Sequence, residues 1–176
     1  MARPFVFVDR DGTLIEDRDY AWRVEDYVPL PGAYEAVRRL REAGFGVILV
    51  SNQSGIGRGY FDEDDLARFE AHLRDDFAAH GAALDAAYHC PHASDAGCAC
   101  RKPATGLIER ATREYEIDLA RSWVIGDKAS DMELAERAGC RGILVLTGQG
   151  PAYRAQVAAD VPVVDDLLDA VAHLGA

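Results

Sequence analysis

The amino-acid sequence predicts an α/β protein with a mainly parallel sheet. Short apolar runs alternate along the whole chain with longer segments whose apolar residues recur at helical spacing. This alternation is typical of parallel sheets, because right-handed crossover helices connect the strands and cover both faces. The chain has 176 residues and contains no internal repeat or linker. We therefore expect one domain, residues 1–176, in a three-layer Rossmann-like arrangement.

Each predicted element rests on a local pattern. Apolar runs rich in β-branched and aromatic residues predict strands at 5–8, 45–50, 84–89, 122–125 and 142–146, with a short edge strand at 161–164. Helical spacing predicts helices at 33–43, 61–80 and 106–115, and two more that begin at 132 and 165. Asp62 is suited to cap the second helix, since its side chain can accept from the free N–H groups of the first turn.

The balance of charge narrows the possible partners. Thirty acidic against 19 basic residues give a net charge of −11, which argues against nucleic acid or an anionic membrane as the main partner. No apolar run approaches the roughly 20 residues that span a bilayer, and the first strand begins too close to Met1 for a signal peptide. We therefore expect a cytoplasmic protein that attracts anionic ligands with a divalent cation and a few Lys and Arg side chains.

Two carboxylates follow the first predicted strand. Asp9 lies where the apolar run ends, and Asp11 follows just before the turn residue Gly12. Ligands bind at the carboxyl ends of strands in open α/β sheets, so we expect Asp9 to point into a site. Asp11 can offer its backbone carbonyl to a hard cation and keep its carboxylate for proton transfer. The alternative is an ordinary strand followed by an Asp-Gly turn.

Two further strand ends carry polar residues. The second predicted strand runs into Ser51 and a segment with three glycines, which suits an anion cradle because glycine lets the backbone approach closely. A flexible loop is the alternative. Asp127 follows the fourth strand and completes a predicted Mg²⁺ site with Asp9 and the Asp11 carbonyl. We expect Asp131 to cap the helix that begins at 132, close to the site but outside the metal's ligand set.

Three cysteines and a histidine cluster within eleven residues. Cys90, His92, Cys98 and Cys100 form the ligand set of a structural Cys₃His zinc site, in an inserted loop at about residues 89–101. The alternative is an accidental grouping in a loop. Arg101 and Lys102 follow directly, so the metal loop would fix two cations that suit phosphate.

A polar and aromatic segment between the first strand and the first helix, residues 14–28, is a candidate flap over the site. It contains Asp17 and Tyr20. An ordinary connector is the alternative.

These motifs, in this order, resemble the haloacid dehalogenase (HAD) superfamily of phosphohydrolases. The resemblance rests on Asp9-Arg10-Asp11-Gly12-Thr13, Ser51-Asn52, Lys102 and Gly126-Asp127. The segment Ser51–Gly59, the zinc loop running into Arg101-Lys102-Pro103, and Gly126-Asp127-Lys128 are similar, more narrowly, to the D,D-heptose 1,7-bisphosphate phosphatase family. Its relative, the histidinol-phosphate phosphatase family, shares the first motif and the zinc loop.

The resemblance implies a role for each motif. Asp9 would attack phosphorus and form an aspartyl-phosphate, and Asp11 would protonate the leaving alkoxide and then activate water. Mg²⁺, Lys102 and the Ser51 hydroxyl would stabilise the charge on the phosphoryl group. The substrate-contacting residues would be Asp17, Tyr20, Asn52, Gln53, Ser54, Arg101 and Lys128. No large cap domain is inserted, so the site would be an open cleft.

The function that follows is Mg²⁺-dependent removal of the C7 phosphate of D-glycero-D-manno-heptose 1,7-bisphosphate. Such a reaction would serve the synthesis of nucleotide-activated heptose for lipopolysaccharide or another surface glycan. The enzymatic alternative is hydrolysis of histidinol phosphate. The non-enzymatic alternative is a zinc-stapled binding module with a vestigial site. We expect a monomer in each case.

Overall fold

The computed structural model describes residues 1–176 and contains one six-stranded sheet. Its strands are β1 (Phe5–Val8), β2 (Gly46–Asn52), β3 (Ala86–Cys90), β4 (Trp123–Gly126), β5 (Arg141–Val145) and β6 (Val163–Val164). They lie in the order β3-β2-β1-β4-β5-β6, and every neighbouring pair is parallel. The predicted Rossmann-like parallel sheet is confirmed.

Seven helices connect and cover the strands. They are α1 (Ala33–Glu42), α2 (Ser54–Gly57), α3 (Glu63–Ala79), α4 (Gly106–Glu114), α5 (Ala129–Ala138), α6 (Gly150–Tyr153) and α7 (Leu167–His173). Apolar residues of α1, α3 and α7 join one core, and those of α4 and α5 join another. Alternate residues of β1 face these two cores, because successive side chains of a strand point to opposite sides. The fold is therefore three-layered, with the sheet in the middle.

Most element boundaries differ from the sequence prediction by one or two residues, and three differences change how a segment or residue is interpreted. Strand β2 continues to Asn52, and the glycine-rich segment after it forms the helical turn α2 rather than an open loop. Helix α5 begins at Ala129, so Asp131 is not its cap but lies in its first turn, where it accepts from the Lys128 N–H at 3.2 Å. Helix α7 is capped by Asp166, whose side chain accepts from the Asp169 N–H, so the prediction of a start at 165 is wrong.

The sheet places the polar residues at one edge. Strand order reverses between β1 and β4, and a crevice at the carboxyl ends of strands forms at such a switch point. Asp9 directly follows β1 and Asp127 directly follows β4. Nine polar or charged residues are buried, and all but Ser122 lie at or after strand ends on this side. The chain from Asp9 to β2 holds only a 3₁₀ turn and α1, so no cap domain is inserted there.

The helices are mostly amphipathic. The longest, α3, has 17 residues, buries Leu66, Phe69, Leu73 and Phe77 and carries three acidic residues in its first turn. None of the helices has both the length and the apolar character that crossing a bilayer requires.

Candidate active site

A buried ion-pair group lies at the carboxyl ends of β1 and β2. Lys102 Nζ donates to Asp9 Oδ1 at 2.8 Å, to Asp131 Oδ1 at 2.7 Å and to the Val50 carbonyl at 3.0 Å. The three charged side chains are at most 6% exposed. The structure therefore brings Asp9 and Lys102 into direct contact although 93 positions separate them, and it adds Asp131 as a second partner of the lysine.

The electrostatics keep Asp9 and Lys102 of this group charged. Burial alone would raise the pKa of Asp9, but the charges of Lys102 and Lys128 hold it below its ordinary value. Burial would lower the pKa of Lys102, whereas Asp131 and Asp9 raise it well above its ordinary value. Asp9 is thus an ionised carboxylate at neutral pH, which is the state that a nucleophile needs.

Asp127 lies beside Asp9 and lacks a partner for one oxygen. Its side chain is fully buried, Oδ2 accepts from the Gln149 N–H at 2.8 Å, and Oδ1 has no hydrogen-bond partner. Burial, followed by the charge of Asp9, raises the pKa of Asp127 to about 8. Carboxylate oxygens of Asp9, Asp127 and Asp131 lie within 4.8 Å of one another. An uncompensated buried carboxylate in such a group is the setting that a divalent cation relieves.

The donor set at this point fits Mg²⁺ with the ligands that the sequence predicts. Asp9 and Asp127 offer carboxylate oxygens, and the Asp11 carbonyl accepts no hydrogen bond from the chain. Asp131 is less available, because its two oxygens already accept from Lys102 Nζ and the Lys128 N–H. Mg²⁺ prefers a few carboxylate and carbonyl oxygens together with water, so Asp9, Asp11 and Asp127 suffice.

Two glycines make room for the Asp127 carboxylate. A Cβ on Gly12 would lie 2.2 Å from Asp127 Oδ2, and one on Gly148 would lie 2.3 Å from the same atom. Gly12 also has a φ of +82°, which only glycine adopts without strain. Thr147 Oγ1 donates to the Gly12 carbonyl at 2.6 Å. The segment 147–149 thus belongs to the site; the sequence analysis missed it, although its Thr-Gly pair follows a strand end.

The raised pKa of Asp127 predicts a pH-dependent effect of Mg²⁺ on stability. Without metal, a carboxyl whose pKa is raised on folding stabilises the folded chain least at high pH. We expect the free energy of unfolding to fall by about 1–2 kcal/mol between pH 6.5 and 8.5. Mg²⁺ should therefore raise the melting temperature more at pH 8.5 than at pH 6.5, as measured by thermal unfolding with and without the ion.

Asp127→Asn is the matched control for this effect. The amide has nearly the shape of the carboxylate but does not titrate, so both the pH slope and the effect of Mg²⁺ should shrink. An equal Mg²⁺ effect at the two pH values in the unaltered protein would contradict the assignment of Asp127.

Asp11 lies in a network that fixes its carboxylate. Gln53 Nε2 donates to Asp11 Oδ2 at 3.1 Å and to Ser51 Oγ at 3.2 Å. Arg10 Nε and Nη2 donate to Asp11 Oδ2 and Oδ1, both at 3.0 Å. Arg10 is fully buried, and the sequence analysis gave it no role. Both N–H donors of the Gln53 amide are therefore used inside the site, and its contact with substrate stays a prediction.

Asn52 is hydrogen-bonded to the backbone of Lys102 at both ends of its amide. Its Oδ1 accepts from the Lys102 N–H at 2.9 Å, and its Nδ2 donates to the Lys102 carbonyl at 3.2 Å. Both ends of the amide thus brace the backbone of the lysine that contacts Asp9. The Asn52 side chain thus positions Lys102, and its contact with substrate stays a prediction.

The Cys and His side chains of residues 90–100 converge. The Sγ atoms lie 3.1 Å (Cys90–Cys100), 3.6 Å (Cys90–Cys98) and 3.7 Å (Cys98–Cys100) apart. His92 Nδ1 lies 3.4 Å from the Cys90 sulfur and 3.2 Å from the Cys100 sulfur. A tetrahedron with Zn–S bonds of about 2.3 Å has S–S edges of about 3.8 Å. The four side chains therefore have the arrangement and the chemistry of a structural zinc site.

The zinc loop is hydrogen-bonded to two neighbouring segments, the end of α2 and the start of α4. Gly57 N–H, at the end of α2, donates to the Pro91 carbonyl at 2.8 Å, and Gly106 N–H, at the start of α4, donates to the Ala99 carbonyl at 3.0 Å. A Cβ on Gly57 would lie 2.6 Å from the Ala93 nitrogen. Order in this loop thus bears on the position of Lys102, two residues after Cys100.

Loss of one ligand should release zinc and loosen this arrangement. We expect Cys98→Ser to remove most of the zinc, to lower the melting temperature by at least about 5 °C and to reduce phosphatase activity several-fold. Cys140→Ser is the control, because Cys140 lies outside the group and should leave zinc content near one ion per chain. Elemental analysis measures the zinc content, and thermal unfolding measures the melting temperature. Equal zinc content in the two variants would refute the site.

The remaining predicted residues, Asp17, Tyr20 and Ser54, differ in their burial and contacts. Asp17 accepts from Gln149 Nε2 at 2.7 Å, so the flap is tied to the segment that holds Asp127. Tyr20 is 41% exposed and meets Tyr60 edge-on at 4.9 Å. Ser54 begins α2 and is half-buried.

Two further cations are next to residues of the buried group in the sequence, Arg101 before Lys102 and Lys128 after Asp127. Lys128 is half-buried, with its Nζ 4.0 Å from Asp127 Oδ1. Burial would lower its pKa, but Asp9 and Asp127 raise it. Arg101, also half-buried, follows the zinc loop, and its Nη1 lies 3.5 Å from the His92 carbonyl. Both side chains are therefore charged and accessible to an anionic ligand.

Comparison with known proteins agrees with this architecture. The sequence model of the HAD-hydrolase-like family matches residues 99–170. The D-glycero-beta-D-manno-heptose-1,7-bisphosphate 7-phosphatase of Pseudomonas aeruginosa is 38% identical over 85% of each chain. The corresponding 7-phosphatase of Thermosynechococcus vestitus is 45% identical, over 85% of this chain and 82% of its own. Among solved structures, the D,D-heptose 1,7-bisphosphate phosphatase of B. bronchiseptica, complexed with magnesium and phosphate, superposes with a TM-score of 0.91 over 98% of both chains at 36% identity.

The parallel sheet, the paired strand-end carboxylates and the buried lysine define a phosphatase of the HAD superfamily. Within that class, the chain belongs to the D-glycero-D-manno-heptose-1,7-bisphosphate 7-phosphatase family, because relatives of that name match it over most of its length. The predicted family is confirmed.

Proposed function

We propose that this protein hydrolyses the C7 phosphate of D-glycero-D-manno-heptose 1,7-bisphosphate, with Mg²⁺ as its cofactor. The observation that carries the proposal is the convergence of Asp9, Asp127 and Lys102 at the switch point of the sheet, in a chain whose relatives bear this activity in their names. Asp9, Asp127 and the Asp11 carbonyl would hold Mg²⁺, which would supply positive charge that offsets the phosphoryl oxygens and the two carboxylates.

The first chemical step forms an aspartyl-phosphate on Asp9. A carboxylate oxygen of Asp9 attacks phosphorus, and the bond between phosphorus and the sugar oxygen breaks. Asp11 gives that oxygen a proton, so that the sugar leaves as an alcohol. Lys102, whose Nζ touches Asp9 at 2.8 Å, and the Ser51 hydroxyl face the charge that spreads over the phosphoryl oxygens.

The second step returns Asp9 to its starting state. Asp11, now ionised, takes a proton from a water molecule that attacks phosphorus. The bond between phosphorus and Asp9 breaks, and inorganic phosphate leaves. Asp131 keeps Lys102 in place throughout, because the lysine has a second buried carboxylate at 2.7 Å.

The second phosphate of the substrate suits the cations at the margin of the crevice. Arg101 and Lys128 are half-buried and charged, and Arg presents a planar fork that matches phosphate oxygens. Our candidates for contact with the sugar are Asp17, Tyr20, Asn52, Gln53 and Ser54. With no cap domain, the flap and the zinc loop restrict the crevice.

The proposal also covers the zinc site, the oligomeric state and the cellular role of the protein. Cys90, His92, Cys98 and Cys100 would hold Zn²⁺ in a structural role, because four protein ligands would leave no open position for water. We propose a single domain, residues 1–176, that works as a monomer in the cytoplasm on a small phosphorylated sugar, without nucleic acid or membrane. Its product would enter nucleotide-activated heptose synthesis for lipopolysaccharide or another surface glycan.

Side-by-side assays of phosphate release test the substrate. Both anomers of heptose 1,7-bisphosphate and histidinol phosphate are supplied with Mg²⁺ at equal concentrations. We expect kcat/KM for at least one heptose anomer to exceed that for histidinol phosphate by about a hundredfold or more, because only the bisphosphate engages Arg101 and Lys128 with its second phosphate. A preference for histidinol phosphate would reverse the assignment. Absence of hydrolysis of every phosphomonoester would instead favour a binding module with a vestigial site.

A further inference from the structure

The side chain between the two aspartates of the first motif is a buried arginine. Arg10 is fully buried, and its guanidinium forms a two-pronged pair with Asp11, with both N–O distances at 3.0 Å. Nη2 also donates to the Ala21 carbonyl at 2.7 Å, and the guanidinium carbon lies 4.6 Å from the centre of the Phe69 ring. The flap and α3 thus hold the arginine from both sides.

The buried pair of Arg10 and Asp11 adds little to the stability of the fold. Burying an ion pair is often no more favourable than apolar side chains of similar volume, and Nη1 of Arg10 is buried without any partner. An unsatisfied buried nitrogen is costly. The arginine is therefore better explained by what it does to Asp11 than by what it adds to stability.

The hydrogen bonds leave one position on the Asp11 carboxylate free. Oδ2 accepts from Arg10 Nε and from Gln53 Nε2, whereas Oδ1 accepts only from Arg10 Nη2. Each carboxylate oxygen has about two lone-pair positions, so Oδ2 is filled and Oδ1 keeps one. Gln53 also contacts Ser51 Oγ, which places this carboxylate beside the phosphoryl-binding residues.

We propose that Arg10 is the positioning residue of the acid–base carboxylate and that it leaves Oδ1 of Asp11 as the atom that carries the proton. The proposal rests on the proposed function only in taking Asp11 as the acid–base group. Lys at this position would keep the charge but could not form the fork.

Arg10→Lys tests the proposal by comparing two substrates whose leaving groups differ in their need for a proton. An aryl phosphate such as p-nitrophenyl phosphate leaves without protonation, whereas a sugar phosphate needs the acid. In single-turnover measurements, we expect the rate of leaving-group release to fall about 10- to 100-fold for heptose 1,7-bisphosphate and less than about threefold for p-nitrophenyl phosphate. In separate steady-state measurements, KM for each substrate should change little.

The double variant Arg10→Lys/Asp11→Asn provides the matched control. If Arg10 acts through Asp11, adding Arg10→Lys to Asp11→Asn should change the sugar-phosphate rate by less than about threefold. Equal losses on the two substrates, or an undiminished effect in the Asp11→Asn background, would overturn the proposal. If the unaltered protein ignores heptose 1,7-bisphosphate, the proposed function fails by itself, and histidinol phosphate serves as the alkyl probe for Arg10.

Discussion

Asp9→Asn should abolish turnover while leaving the fold intact. The amide is a poor nucleophile towards phosphorus, so we expect kcat to fall by at least about a thousandfold with no covalent intermediate. The fold should survive because Lys102 keeps Asp131 as a partner at 2.7 Å. Steady-state phosphate release from heptose 1,7-bisphosphate is the primary measurement, and thermal unfolding checks that the variant remains folded.

The matched control for Asp9→Asn is the same change at an acidic residue outside the site. Glu109→Gln alters an exposed side chain of α4 that contacts Thr105, and it should keep activity within about twofold. If Asp9→Asn retained a substantial fraction of kcat, water rather than Asp9 would be the nucleophile and the proposed two-step route would be wrong.

Lys102→Met should reduce both activity and stability. Without its ammonium group, Asp9 and Asp131 are left as buried carboxylates that have lost their shared partner. Breaking a buried pair in this way costs about 3–5 kcal/mol. We also expect kcat to fall by at least about a hundredfold, because one donor to the phosphoryl charge is lost. Denaturant unfolding and phosphate release measure the two effects.

A second substitution separates the two effects of Lys102. In Lys102→Met/Asp131→Leu, one of the unpaired carboxylates is removed, so part of the stability should return. Activity should not return, because the cation that faces the phosphoryl group is still missing. Recovery of both quantities together would show that Lys102 acts only by stabilising the fold.

The strand ends could be predicted from the sequence because the residue patterns that mark them are local. Four apolar residues before Asp9, and an apolar run before Gly126-Asp127, predict strands without knowledge of tertiary contacts. Parallel alternation then places both carboxylates at one edge of the sheet. The zinc ligands were predictable for the same reason, since all four lie within eleven residues.

The missed features depend on contacts between distant segments. Asn52 and Lys102 are 50 positions apart, and Asp127 meets the segment 147–149 across another strand. Arg10 lies inside a recognised motif, but its burial against Phe69 and the flap is visible only in the folded chain. Asp131 was predicted as a cap because a short acidic residue before an apolar run usually is one; its contact with Lys102 arises from the packing of α5.

The most direct test of the account is to locate the covalent phosphoryl group. The protein is mixed with substrate carrying labelled phosphorus at C7 and Mg²⁺, quenched in acid within one turnover and digested. We predict that the label is found on the peptide that contains Asp9 and is absent from Asp9→Asn. Rapid turnover by the unaltered protein with no labelled peptide, or with the label on another residue, would contradict the central claim.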